Sequence, residues 1–264
     1  MQEFTIDNLG CKIHYWMNNG DHQEWLFFLH GAGLDHHTYE LQLAALPNHY
    51  NVVLCDLRGH GKSVLPEGTA FDYHDALQDI VLICEKHQIK SATFIGQSMG
   101  GNLAQDIAYY HPQLVKSLIL IDCLKNTNKL TPLEKLTLKM MPMVLMRYPE
   151  PVFLKLSARL CGKQPNTRKY AEQTMARLGK AKIITVLSAL KDAFHEDVHY
   201  RSHCPILLIC GKYEKISKIK KIMTQWPSQD VAAKLVWIDD AAHCSNQDNA
   251  LAVNQAINQH LAML

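Results

Sequence analysis

Apolar runs rich in β-branched residues recur along the chain, separated by segments of helical spacing. The pattern predicts strands over 11–16 (CKIHYW), 24–30, 51–56, 91–95, 117–122, 205–210 and 233–238. Most of these runs are continuous rather than alternating, as strands covered on both faces must be. Helices are expected over 73–88, where Ala76, Leu77, Ile80, Val81 and Cys84 keep helical spacing, over 99–110, and over 246–262. Such alternation of strand and helix makes an α/β protein with a mostly parallel central sheet and helices on both faces. The stretch MNNGD (17–21) reads as a hairpin turn and suggests an antiparallel start.

Residues 124–203 break the rhythm. They hold no convincing strand, only helical patterns separated by Pro132, Pro142, Pro149, Pro151 and Pro165. So much helix between two strands exceeds a simple crossover. It reads as a helical cap or lid inserted into a core made of 1–123 and 204–264.

The chain has 264 residues, 47% hydrophobic and 20% charged, and a formal net charge of +2. These values describe a globular chain of one large domain with an insertion. A balanced charge gives no general reason to expect nucleic acid or an anionic surface as partner. No apolar run is long enough to span a bilayer, and the start MQEFTIDNLGCK has neither the basic nor the apolar part of a secretory leader. Eight cysteines without a CxxC pair, several in apolar stretches, favour a reducing cytoplasm.

The strongest chemical signal is SATFIGQSMGGNLAQDIAYYHP (91–112). An apolar run enters Gly96-Gln97-Ser98-Met99-Gly100 and a helical pattern leaves it, which is the context G-x-S-x-G needs. A sharp strand-to-helix turn holds the Ser98 hydroxyl above the sheet. Gly96 and Gly100 clear the close approach of strand and helix, and the Met99 amide points where an oxyanion would develop.

A serine nucleophile needs a base, and the base an orienting acid, in the chain order Ser, Asp or Glu, His. His243 follows the last expected strand by a few residues. Glu214 stands three residues past Gly211, after the strand before it. Both therefore leave the same end of a parallel sheet. Asp122, at the end of 117–122, is the alternative acid.

The second oxyanion amide is expected at Ala32, in LFFLHGAGLDHH, with His30 bonding loop backbone beneath it. A metal at His36 and His37 is not expected, because adjacent side chains diverge and no third ligand is sensibly spaced. DLRGHGKS (56–63) lacks the phosphate-loop spacings and reads as a structural loop. No cofactor is implied.

HGAG (30–33), DLRGHGKS, GQSMGG (96–101), GKYE (211–214) and AAHCSN (241–246) occur in an order that resembles the α/β-hydrolase superfamily, in the branch with a helical cap between strands six and seven. The resemblance covers roughly 10–122 and 204–263. It implies the α/β-hydrolase fold, Ser98 as nucleophile, His243 as base, Glu214 as acid, and Ala32 and Met99 as oxyanion donors. The family usually has Asp at the acid position and Gly before the histidine, where this chain has Glu214 and Ala242.

The implied chemistry is a serine hydrolase, carboxylesterase-like, acting through an acyl-enzyme on a small or medium apolar acyl substrate. Lactones, thioesters or carbon–carbon bonds are alternatives on the same residues, as is a slow-turnover ligand-binding relative. In the insertion, Met140, Met141, Met143 and Met146 with Leu136, Leu138, Leu145, Phe153 and Leu154 either line an adaptable pocket or pack the cap on the core.

Overall fold

The computed structural model describes residues 1–264 apart from residues 19 and 21. Eight strands form one sheet: β1 (Gln2–Asn8), β2 (Cys11–Asn18), β3 (Trp25–Leu29), β4 (Asn51–Cys55), β5 (Ala92–Gln97), β6 (Val115–Ile121), β7 (Ile206–Gly211) and β8 (Ala233–Ile238). Their order across the sheet is β1-β2-β4-β3-β5-β6-β7-β8. β1 with β2 and β2 with β4 pair antiparallel, and every pairing from β4 onward is parallel.

All seven expected strands form. β1 was not expected, because its residues QEFTIDN are largely polar and only half-buried at best. It joins β2 through Leu9 and Gly10, both at positive φ (51° and 75°), the backbone of a two-residue hairpin turn. The antiparallel start is therefore real but sits at 9–10. The turn expected at 17–21 falls partly outside the described residues, and β2 and β3 do not form a hairpin, since β4 lies between them.

The continuous apolar runs are explained by burial on both faces. Phe27, Leu29, Phe94, Leu118 and Leu120 join one core with α2 (Tyr73–Lys86), α3 (Met99–Tyr110) and α8 (Ile219–Gln229). Their alternating neighbours Leu26, Phe28, Ile95, Ile119 and Ile121 join a second with Val253 and Ile257 of α10 (Ala250–Leu261). A short α1 (Glu40–Leu43) and α9 (Ser245–Asp248) complete the core helices, and α9 and α10 divide the segment expected as one helix. Asp72 caps α2 by accepting the His74 and Asp75 amides at 2.8 and 3.0 Å.

Between β6 and β7 run α4 (Pro132–Met146), α5 (Glu150–Cys161), α6 (Pro165–Leu178) and α7 (Lys180–Ala189). Pro132 and Pro165 open α4 and α6, where a missing N–H costs nothing. Thr131 and Glu134 form a capping box at the start of α4. Pro142, expected to separate helices, instead lies inside α4. Phe153, Leu154, Ala158, Ala171, Met175 and Ile183 pack with Leu34 and Cys244 of the sheet region. All eight cysteines are free and buried. Among the described residues no helix is long and apolar enough to cross a membrane.

Candidate active site

Strand β5 ends at Gln97 and α3 begins at Met99, so Ser98 carries the whole turn. Its φ of 52° and ψ of −117° lie in a region that costs a non-glycine residue on the order of 1–3 kcal/mol. The turn is held from the neighbouring strand, where the Ile121 carbonyl accepts the Ser98 amide at 2.9 Å. A Cβ on Gly96 would overlap the Gly100 carbonyl, and one on Gly100 would overlap the Leu29 carbonyl. Only bare backbone lets β5, α3 and β3 meet here. Among the described residues the Ala32 and Met99 amides have no acceptor within the protein.

Glu214 and His243 leave the ends of β7 and β8. Both are buried, at 5% and 6% exposure, yet the His243 Nδ1–H reaches Glu214 Oε2 at 2.6 Å. The second Glu214 oxygen accepts the Ile216 amide, which fixes the carboxylate from its own loop. The Gln97 amide donates to the His243 carbonyl at 2.9 Å and ties the histidine loop to the serine turn. Asp122 does not bond the imidazole. Its two oxygens accept the amides of Gly211 at 2.8 Å and Ser245 at 3.1 Å, so it links the loops that bear Glu214 and His243.

Burial alone would push the His243 pKa down, but the Glu214 charge and hydrogen bond outweigh it and lift the imidazole to about 9. Burial, then the nearby Glu214 charge, raises Asp122 to about 7, against the pull of His243 and its two amide donors. The Glu214 contact therefore favours the charged form of the imidazole over the neutral one.

Ser98 and His243 line one cavity of about 380 Å³. Gly31 and Ala32 form its floor on the core side, and Met141, Leu145 and Phe153 form its wall from the helices between β6 and β7. Its lining is mainly aliphatic, with polar groups from the serine turn, from Ser157 of α5 and from Lys215 and Ser217 after β7, the usual makeup of a small-molecule site.

Residues 24–250 match the family model for the alpha/beta hydrolase fold. The chain belongs to the α/β-hydrolase family. An esterase from Thermogutta terrifontis superposes with a TM-score of 0.81 at 19% identity, covering 100% of this chain and 99% of that one. The enol-lactonase from Burkholderia xenovorans LB400 superposes with a TM-score of 0.82 at 19% identity, covering 98% and 99%. In sequence, ethanol acetyltransferase 1 of Cyberlindnera jadinii is 33% identical over 106 residues, 39% of this chain and 31% of the acetyltransferase. The chain spans less than half the length of the curated relatives it matches.

In this α/β-hydrolase, His30 lies under the serine turn. Its Nδ1 donates to the Gly31 carbonyl at 2.8 Å and its Nε2 accepts the Leu57 amide at 3.0 Å. Burial holds its pKa down, in keeping with that neutral form. Arg58 is fully engaged by Asp79 through two bonds of 2.7 Å and by Asp75 at 2.6 Å, so the DLRGHGKS loop offers no guanidinium to a phosphate. The histidine pair differs from expectation. The His36 and His37 rings lie 3.9 Å apart rather than diverging, and Asp35 stands beside them as a third potential ligand. Asp35 is already engaged by Tyr170 and Arg177, and His36 Nδ1 by Asp56.

Of the methionines singled out in the insertion, only Met141 reaches the cavity. Met140, Met143, Met146 and Leu136 are exposed, Leu138 lines a separate cleft, and Leu154 is buried among α5–α7. Leu160, Met175, Ile183, Leu187 and Leu190 also line the cavity, and sequence reasoning missed them. Also missed was Asp248, which accepts the amides of Ala242, Lys163 and Gln164 at 2.7–2.9 Å and so pins the histidine loop to the start of α6. Helical spacing of Ile219, Ile222, Met223 and Trp226 did carry a signal for α8, obscured by Pro227.

Proposed function

We propose that the protein is a serine hydrolase that cleaves an ester-type bond of a small or medium, mainly apolar acyl substrate. The observation that carries this reading is the buried His243–Glu214 pair opening on the cavity that Ser98 lines. With Nδ1 committed to Glu214, Nε2 is the nitrogen left to take a proton from Ser98. The serine oxygen attacks the acyl carbon, and the Ala32 and Met99 amides hold the resulting oxyanion. The leaving group departs with the proton from His243, and water repeats the sequence on the acyl-enzyme.

The helices α4–α7 act as a cap in this reading. Their side chains Met141, Leu145 and Phe153 shape the acyl-binding wall. A panel of p-nitrophenyl esters of rising acyl length tests the reading. Turnover of short and medium esters that disappears in Ser98→Ala supports it. Absence of turnover across the panel refutes ester hydrolysis and leaves the lactone or carbon–carbon alternatives for the same residues.

A further inference from the structure

Two cysteines are joined by a backbone hydrogen bond beside the Ser98 cavity, and neither has a part in the hydrolysis described above. Cys161 is the last residue of α5 and lines the cavity. Cys244 follows His243 directly and is fully buried, with the Gln97 amide 3.9 Å from its sulfur. The Cys244 amide donates to the Cys161 carbonyl at 2.6 Å. Standard bond lengths on either side of that hydrogen bond limit the Cα–Cα separation to about 6.5 Å. Disulfides span roughly 4.4–6.8 Å between Cα atoms. Both side chains belong to the same buried cluster.

We propose that Cys161 and Cys244 form a reversible oxidation site, closed to a disulfide by a hydroperoxide that enters the cavity. A hydrogen bond from the Cys244 thiol, and then the neighbouring His243 charge, hold the Cys161 thiol below its ordinary pKa despite burial, while Cys244 is pushed up. Cys161 lines the cavity and meets the peroxide first, so it is the attacking thiolate, and the fully buried Cys244 is the resolving thiol. The Cys161 sulfur attacks a peroxide oxygen and the O–O bond breaks. The departing hydroxide takes up the proton that Cys161 released, leaving water and a sulfenic acid. The Cys244 sulfur then displaces hydroxide from that sulfenic acid, and its thiol proton completes a second water. Two thiols lose two electrons in all, and one hydrogen peroxide becomes two waters. The new bond ties α5 to the loop that bears His243.

The test is mass mapping of the intact protein after brief exposure to hydrogen peroxide. Two of the eight thiols should become unreactive to an alkylating agent under denaturing conditions, with the chain about 2 Da lighter. Digestion should give one linked pair of peptides, containing Cys161 and Cys244, that dithiothreitol separates. Cys161→Ser and Cys244→Ser should each abolish the link. Linkage of any other pair, or a Cys161 that proceeds to sulfinic acid without linkage, overturns the proposal. So does retention of all eight thiols. The mapping of the wild-type chain decides even if a variant fails to fold, and it does not depend on hydrolytic activity.

Discussion

The imidazole of His243 is bonded by Glu214 at 2.6 Å, whereas the carboxylate of Asp122, equally buried, spends both oxygens on backbone amides. The two acids therefore have different work. Glu214→Gln should lower kcat by about 10³–10⁴-fold, as expected when the tautomer of a catalytic histidine is lost. Asp122→Asn should cost under about tenfold in kcat and act mainly on stability, since an amide nitrogen would face one of its two N–H donors. Steady-state kinetics on both variants decides. The reverse ranking would move the orienting role to Asp122.

The pH profile follows from the same pair. In the proposed mechanism His243 must be neutral to accept the serine proton, and its pKa is raised from 6.5 to about 9. On this account kcat/KM falls as pH drops below that raised value. Glu214→Gln removes the charge that stabilises the imidazolium, so the acid limb should move down toward 6.5. An unchanged or upward-shifted limb in the variant would contradict the assignment. For stability the sign is opposite: the contribution of a raised histidine pKa is fully present below 6.5 and is lost as pH rises through about 9.

Cavity wall and core filling can be separated by two leucines of neighbouring helices. Leu145 lines the cavity, while Leu154 is buried among α5–α7. Leu145→Ala should shift the optimum of a p-nitrophenyl ester series toward longer acyl chains. Leu154→Ala should leave that optimum in place and reduce unfolding stability by about 2–5 kcal/mol. A shifted optimum in the Leu154 variant alone would assign the wall wrongly.

Arg58 gives a prediction about the scaffold. It is 2% exposed and holds the buried Asp79 bidentately. Arg58→Met strands that carboxylate, and urea unfolding should show a loss of about 3–5 kcal/mol. Turnover per folded molecule should stay near wild type, because Arg58 does not reach the cavity. A stable variant with lost turnover would instead give the DLRGHGKS loop a part in the chemistry.

What could be read from the chain depends on how local the physics is. The turn at Ser98 was legible because strand–helix contact demands glycine at fixed offsets, and Gly96 and Gly100 stand there. The strands were legible because double-sided burial leaves continuous apolar runs. β1 was not, since an edge strand with one open face keeps polar residues. The bridging contacts of Asp122, Asp248 and Gln97 were hidden for a different reason: each joins loops far apart in sequence, and nothing beside them in the chain marks their partners. The cavity wall was hardest. Met141 and Met143 differ by two positions on one helix, yet only the first faces the cavity, and packing of α4 against α7 decides which.

Treatment with a fluorophosphonate followed by peptide mass mapping tests the central claim most directly. The account predicts rapid covalent labelling of one residue, Ser98, with loss of labelling in Ser98→Ala and strong slowing in Glu214→Gln. A folded protein that stays unlabelled, or that carries the adduct on another residue while Ser98 stays free, would contradict it.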